Sequence, residues 1–261
     1  MKVYDKSIKK TFDILNGLDP IIYAFDPSSS WQRIDSSELI LNKDVAIELG
    51  PSHLKGVAYT MVTSNPCLIK ENKTKVIGDD IKNLKDNSVS FGKIVIVKVK
   101  ELDEEVSYAK IKDLERLRFR VHLEGYMLRA STQQKRETIR INNAAVKQGL
   151  TFEKIGNSLI GEYLKNDLVE NVEIIFLTGM DKTIEDLTTI ASKVKELTDA
   201  MNHIFDNIEF DCHSCNFSEI CDEIDGMKEM HGKINTSSGR LSPRNGRLTP
   251  PPLKQQTAWP G

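Results

Sequence analysis

The chain has 261 residues, of which 39% are hydrophobic, so it is long enough to bury a core without disulfide or metal crosslinks. Its formal net charge is −2, but residues 233–261 carry five Lys or Arg residues and no acid, which leaves −7 on the remainder. An acidic body argues against a nucleic-acid partner, because binding DNA or RNA needs a clustered positive face. No apolar run approaches the roughly 20 residues that span a bilayer. The N-terminus also lacks the pattern of a signal peptide, so the sequence predicts a cytoplasmic protein with no membrane partner.

Residues 1–35 are predicted to form an N-terminal helix and a loop. Apolar side chains recur at helical spacing between Tyr4 and Asn16, and Gly17 and Pro20 follow as stop signals. The DPSSSW stretch after them is typical of a loop.

Residues 36–205 are predicted to form a mixed α+β domain. Its first half contains four strand-like runs, which are VAIEL from Val45, VAYTMVT from Val57, KVIG from Lys75 and KIVIVKV from Lys93. The stretch from Ile94 to Val99 is apolar with little alternation, which indicates a strand in the centre of a sheet.

The second half of this domain is predicted to be mainly helical. The pattern indicates a helix from Glu104 to about Ala130, a short strand ETIRI, helices around Asn143 to Lys147 and Thr151 to Leu164, a buried strand NVEIIFLTG and a long helix from Asp181. Thr151 can cap its helix. The long helix carries an apolar stripe, most simply a core-facing surface, at Ile184, Leu187, Ala191, Val194, Leu197, Met201 and Phe205. The predicted fold class is therefore α+β, with a mixed sheet packed with helices, followed by a short cysteine segment and a disordered tail.

Three of the four cysteines, Cys212, Cys215 and Cys221, lie close together in residues 206–232, which are predicted to hold a cysteine motif and a short helix. In a cytosolic chain this spacing indicates metal or redox chemistry before disulfides. Thiolates in a C-x-x-C turn can bind one cation, and a third thiolate supplies most of a tetrahedral set.

The identity of the metal is left open by these residues. A four-iron cluster needs four ligands, and the fourth would come from Cys67, His213, His231, another chain or solvent. Zinc is the alternative, because three cysteines and a histidine make an ordinary structural zinc site. A further alternative is that the thiols are reduced relicts that bind nothing. Cys67 itself is expected to be a small buried hydrophobe.

Residues 233–261 are predicted to form a disordered basic tail. They are rich in Ser, Pro, Gly and Arg and show no apolar periodicity. Their composition differs so much from that of the body that no function is based on them.

An ordered set of segments carries a family resemblance. The segments are DVAIELG at Asp44, KVIGDDI at Lys75, FGKIVIVKV at Phe91, LERLR at Leu114, EGYM at Glu124, IRINNAAVKQGLTFEKIGNSLI at Ile139 and VENVEIIFLTG at Val169. In this order and with these gaps, residues 36–205 resemble the middle domain of the acetyl-CoA synthase (beta) subunit of the carbon monoxide dehydrogenase/acetyl-CoA synthase complex. In that family a long helix leads from this domain into a cysteine motif, and here the long helix leads into DCHSCNFSEIC.

The resemblance implies an acetyl-CoA synthase-like protein with an iron-sulfur cluster, of the four-iron, four-sulfur type, and with carbon monoxide dehydrogenase or corrinoid protein subunits as partners. The family joins carbon monoxide, a methyl group from a corrinoid protein and coenzyme A at a nickel-iron-sulfur centre, where a Cys-Gly-Cys holds the proximal metal. This sequence has no Cys-Gly-Cys. It is therefore expected to be incomplete for CO-methylating acetyl-CoA synthesis on its own, and no catalytic residue is assigned. The alternatives are a non-catalytic docking module for the complex or its corrinoid partner, and a small zinc-stabilised domain.

Five basic residues form a candidate coenzyme A site, namely Arg116, Arg120, Arg129, Arg136 and Arg140. Guanidinium groups bind phosphate oxygens through paired hydrogen bonds, and the resemblance implies that this basic stretch approaches the nucleotide of coenzyme A. On the predicted helix, positions 116 and 120 share a face. The alternative is a solvated helix face whose arginines form exposed ion pairs with Glu115, Glu124 and Glu137.

Overall fold

A computed structural model describes residues 2–101, 104–131 and 135–206 of the chain. The helices of this part are α1 (Asp5–Leu15), α2 (Glu104–Arg116), α3 (Asn143–Lys147), α4 (Phe152–Tyr163) and α5 (Asp181–Asp206). The strands are β1 (Ile21–Ala24), β2 (Val45–Leu49), β3 (Gly56–Thr63), β4 (Lys73–Ile77), β5 (Ser88–Val89), β6 (Phe91–Val99), β7 (Tyr126–Ser131), β8 (Arg136–Asn142) and β9 (Val169–Thr178). No helix in the described residues is both long and apolar enough to cross a bilayer. The cysteine segment that follows Asp206 and the basic tail lie outside the described residues, so what was predicted for them stays a prediction.

The strands form two mixed sheets. In the larger sheet the order is β1-β4-β9-β6-β3, in which β4 runs parallel to β9 and β6 runs parallel to β3. In the smaller sheet the order is β5-β2-β8-β7, in which β5 and β2 are parallel and the other neighbours are antiparallel. The sheets meet where β3 approaches β8, and there the Ala58 N–H donates to the Lys135 carbonyl at 2.7 Å. The α+β class is confirmed, with two mixed sheets where the sequence predicted one.

Helices cover both faces of the larger sheet. α4 packs on β4 and β9, and the rings of Phe91, Phe152 and Phe176 stack there with centroids 4.8 to 6.1 Å apart. On the opposite face α5 packs on β3, and α1 packs on α5. The predicted stripe of α5 is buried at every position from Ile184 to Met201, whereas the side chain of Phe205 lies outside the described residues. This burial of apolar surface, at roughly 25 cal/mol per Å², stabilises the larger sheet between its helices.

Most of the predicted elements of the domain are confirmed. α1, the four strand-like runs, α3, α4, β8, β9 and α5 lie where the apolar periodicity placed them. Thr151 caps α4, because its Oγ1 accepts a hydrogen bond from the Lys154 N–H at 3.3 Å. The run from Ile94 to Val99 lies in β6, between β9 and β3. The sequence did not indicate β1 or β5, since runs of four and two residues are too short to show a period.

The prediction of one helix from Glu104 to about Ala130 is wrong. α2 ends at Arg116, a single 3₁₀ turn follows, and the chain from Tyr126 onward is strand β7, paired with β8. Gly125 marks the change, with a φ of +66° and no room for a Cβ, which would lie 2.5 Å from the Cβ of Ala145. The apolar side chains after this glycine pack as a strand, so tertiary pairing overrides their helical spacing.

The expectation that Cys67 is buried is also wrong, since its side chain is exposed. Cys67 lies in a turn after β3, where its N–H donates to Asn65 Oδ1 at 3.0 Å. Asparagine side chains favour such local bonds over a continued strand, and the turn directs the thiol outward.

Candidate functional site

A buried ion-pair cluster lies where the two sheets meet. The Glu137 carboxylate of β8 pairs with Lys93 Nζ of β6 and, at 3.2 Å, with Arg118 Nη1. The side chains of Lys93 and Glu137 are only 2% and 1% exposed. Alternation along β8 explains the position of the carboxylate, because Glu137, Ile139 and Ile141 all turn inward. One carboxylate therefore serves two cations.

Burial sets the electrostatics of this cluster. It lowers the pKa of Lys93, and the Glu137 carboxylate opposes that shift. Burial also raises the pKa of Tyr163, with the Arg118 charge acting in the opposite direction. Removing one partner of such a pair leaves an uncompensated charge in the interior. The cluster is thus a structural joint between the sheets.

A cleft opens beside this cluster at the edge of the larger sheet, and it is here called the β3 cleft. It lies between β3, α2 and α5 and has a volume of about 220 Å³. Its charged lining residues are Glu115, Arg118, Lys135, Arg136, Lys195 and Asp199. Four of these six residues are basic, so the cleft carries an excess of positive charge.

The charges that line the β3 cleft are only partly paired. Lys195 pairs with Asp199 one turn further along α5, and Glu115 accepts a hydrogen bond from the Thr198 hydroxyl at 3.2 Å. Burial raises the pKa of Glu115. Burial, followed by the repulsion of the Lys195 ammonium, lowers the pKa of Lys135. Two ammonium groups therefore lie close enough to each other to interact.

Three of the predicted arginines share one face of the smaller sheet. Cross-strand register puts Arg129 of β7 on the same side as Arg136 and Arg140 of β8. Arg136 is bonded to the protein, since its Nη2 donates to three carbonyl oxygens of the loop 50–54 at 2.6 to 3.1 Å. Arg140 Nε pairs with Glu48 at 2.7 Å. Of the three, only Arg129 is exposed.

The other two predicted arginines lie apart from that face. Arg116 is the last residue of α2 and Arg120 follows the 3₁₀ turn, and both are exposed. The expectation that they share a helical face is wrong, because the helix ends between them. The expectation of exposed pairing with Glu137 is wrong too, since that carboxylate is buried and its arginine partner is Arg118. Coenzyme A binding by the five arginines stays a prediction.

Sequence reasoning assigned no role to Lys93 or Lys195, and it did not select Lys135, which lies in the same basic stretch as the five arginines. The sequence did contain a signal for Lys93, which is the one charged residue in the run FGKIVIV. This run was predicted to be a central strand, and a cation in such a strand must be paired. Lys135 and Lys195 are far apart in sequence, and only the packing of α5 on β3 brings both to the same cleft. No local pattern could have indicated that.

The predicted metal ligands Cys212, Cys215 and Cys221 lie outside the described residues. Within residues 2–101, 104–131 and 135–206, no group of three or more His, Cys, Asp or Glu side chains is arranged to hold a metal ion. Cys67 therefore belongs to no ligand set within that part of the chain. The three cysteines remain the predicted donor set, and they follow the end of α5 at Asp206 in the sequence.

Comparison with known proteins identifies one family. A family model described as the CO dehydrogenase/acetyl-CoA synthase complex beta subunit matches residues 33–183, which is more than half of the chain. The match begins before β2 and ends at the start of α5, so it includes every strand except β1. No curated protein matches the chain.

Proposed function

Because the chain belongs to the beta-subunit family of the CO dehydrogenase/acetyl-CoA synthase complex, we propose that it is an acetyl-CoA synthase-related protein that binds an iron-sulfur cluster just after its α+β domain. The observation that carries this proposal is the family match over residues 33–183, which includes both sheets apart from β1. α5 begins where the match ends and reaches Asp206, shortly before the first cysteine of the motif.

The ligands of the proposed cluster are Cys212, Cys215 and Cys221. The donor set fits, because a C-x-x-C turn brings two thiolates to one cluster and a third cysteine follows within the same segment. A four-iron, four-sulfur cluster would take its fourth ligand from another side chain, another subunit or solvent. Zinc is the alternative occupant, with a histidine as the fourth ligand.

The proposed role is that of a partner of carbon monoxide dehydrogenase or corrinoid protein subunits, without CO-methylating acetyl-CoA synthesis by these 261 residues alone. The sequence has no Cys-Gly-Cys to hold a proximal nickel-site metal. When bound, an iron-sulfur cluster supplies electron transfer or a thiolate-rich platform for a second metal. The cysteines that would hold it follow α5 in the sequence, after a domain whose sheets are joined by the Lys93–Glu137 pair.

For coenzyme A, we propose the exposed arginines Arg116, Arg120 and Arg129 as the members of the predicted set that can contact its phosphates. Arg136 and Arg140 already bond to the loop 50–54 and to Glu48. These two would shape the sheet beneath the ligand instead of contacting the phosphates.

The proposal is tested by metal analysis of the full chain after purification without oxygen. Iron and acid-labile sulfide are expected in the unmodified chain and should be lost in the variant Cys212→Ser/Cys215→Ser. Cys67→Ser changes the one exposed thiol of the described residues, which is also a candidate fourth ligand; full metal content in this variant would exclude it as a ligand and show that the loss is specific to the cysteine motif. Equal metal in all three proteins would contradict the proposed ligands. Stoichiometric zinc without iron would favour the zinc-stabilised alternative.

A further inference from the structure

We propose that the β3 cleft is a binding site for a compact oxyanion, a single phosphate or a small dicarboxylate. The site consists of described residues and includes none of the cysteines, and its ligand is chemically simpler than coenzyme A. Its volume of about 220 Å³ lies below the roughly 300 to 1,000 Å³ of pockets that enclose drug-sized molecules. A cleft of this size has room for one anionic group and is too small to enclose a nucleotide.

The buried cluster beneath the cleft supplies no spare negative charge. Lys93 and Arg118 share one carboxylate, that of Glu137, so nothing in this joint offsets the cations that line the cleft. Arg118 also lines the cleft, and its Nε is buried with no hydrogen-bond acceptor in the described residues. A buried donor without an acceptor is costly, and a negative charge bound in the neighbouring cleft would offset part of that cost.

Lys135 is a cation that lines the cleft and forms no ion pair within the described residues. Burial and the Lys195 ammonium both lower its pKa, while the carboxylates of Glu196 and Asp199 act in the opposite direction. An anion between the two ammonium groups would turn their repulsion into two attractions.

The backbone holds Lys135 in place at the mouth of the cleft. Its φ of +47° lies in the left-handed region, which is uncommon for a residue other than glycine. Its carbonyl accepts the Ala58 N–H of β3 at 2.7 Å. The strained conformation is therefore fixed by the junction of the two sheets, and residues held this way are often found at ligand sites.

The test is isothermal titration calorimetry of the full chain with inorganic phosphate and, separately, with malonate. One saturable site is expected for at least one of these anions, and the stronger of the two identifies the ligand as phosphate or carboxylate. The variant Lys135→Gln/Lys195→Gln should bind roughly tenfold more weakly or worse, since charged hydrogen bonds are lost. Lys82→Gln, which alters an exposed lysine on the Ile81–Asn83 turn, is the control and should bind like the unmodified chain.

Two outcomes would overturn the proposal: no saturable binding of either anion, or equal affinity of the double variant and the unmodified chain. The single variants Lys135→Gln and Lys195→Gln, with unfolding midpoints measured beside them, separate loss of the site from loss of the fold. Because the titration uses neither iron nor coenzyme A, its failure would leave the proposed cluster untouched. Loss of the cluster in Cys212→Ser/Cys215→Ser would likewise leave phosphate binding intact.

Discussion

Glu137 and Glu48 lie on neighbouring strands of the smaller sheet, yet they occupy opposite environments. Glu137 on β8 points toward the larger sheet and is 1% exposed, with Lys93 and Arg118 as partners. Glu48 on β2 lies on the outer face, is 21% exposed and pairs with Arg140. The alternation of a strand decides which charge enters the interior. The ion pairs of Glu137 therefore join the two sheets, whereas the Glu48–Arg140 pair links two strands on the outer face of the smaller sheet.

The largest effect is expected from Glu137→Gln. The change leaves Lys93 and Arg118 without their shared carboxylate in the interior, and breaking a buried pair costs about 3 to 5 kcal/mol. Urea unfolding should therefore show a large drop in the midpoint at an unchanged slope. A decrease in the free energy of unfolding of less than about 1 kcal/mol would mean that the buried pair behaves like a surface pair, and it would contradict the distinction between Glu137 and Glu48.

A smaller loss is expected from the double variant Lys93→Met/Glu137→Leu. Replacing a buried pair by apolar side chains of similar size removes both desolvation penalties, so it is often neutral or stabilising. Arg118 loses its carboxylate, but its 18% exposed side chain can turn toward the β3 cleft. A double-mutant cycle should give a coupling energy of roughly 2 kcal/mol or more between positions 93 and 137. Simple additivity of the two single changes would contradict the pairing.

Glu48→Gln on the outer face should cost about 1 kcal/mol or less. Its partner Arg140 keeps a hydrogen bond from Nη1 to the Ile40 carbonyl at 3.3 Å, and a partly solvated pair contributes little. The loss should shrink further in high salt, which screens exposed charges. A loss as large as that of Glu137→Gln, measured in the same urea titration, would remove the distinction between the two faces.

The smallest effect is a pH dependence at Glu115, a carboxyl in the β3 cleft. Burial raises its pKa above the ordinary 4.5, so the folded protein holds this proton more tightly than the unfolded chain does. The Glu115 carboxyl does not affect the free energy of unfolding at a pH where it is protonated in both the folded and the unfolded protein. It destabilises the fold as the pH rises from 4.5 through the pKa of the folded state. Glu115→Gln should remove that decline. Unfolding midpoints compared from about pH 4 to about pH 7 should diverge in favour of the variant. If the midpoints of both proteins change with pH in parallel, burial does not raise the pKa of Glu115.

Much of the fold was predictable because helices and strands with one buried face have apolar residues at regular spacing in the sequence. The apolar run of β6 and the stripe of α5 each face a large buried surface, so their spacing identified them. The segment after Arg116 was not predictable in this way. Its apolar residues have helical spacing, and only Gly125 and the pairing of β7 with β8 make it a strand. β1 and β5 were too short to leave any pattern.

The candidate site was less predictable than the fold, because the sequence does not show which groups pair with a charged side chain in the folded protein. Arg136 and Arg140 look alike in the sequence to Arg129, but the first two bond to the protein and the third is exposed. Lys135 and Lys195 become neighbours only through tertiary packing. The cysteine segment is the reverse case, since its spacing alone predicts a metal site, without any knowledge of the fold.

We propose that metal binding belongs to the cysteine segment that follows α5 in the sequence, whereas the charges of the described α+β domain stabilise the fold. Electron paramagnetic resonance of the full chain, purified without oxygen and reduced with dithionite, tests it most directly. We expect the signal of a one-electron-reduced iron-sulfur cluster in the unmodified chain and in Glu48→Gln, and no such signal in Cys212→Ser/Cys215→Ser. A protein that contains zinc or no metal and gives no signal would contradict it.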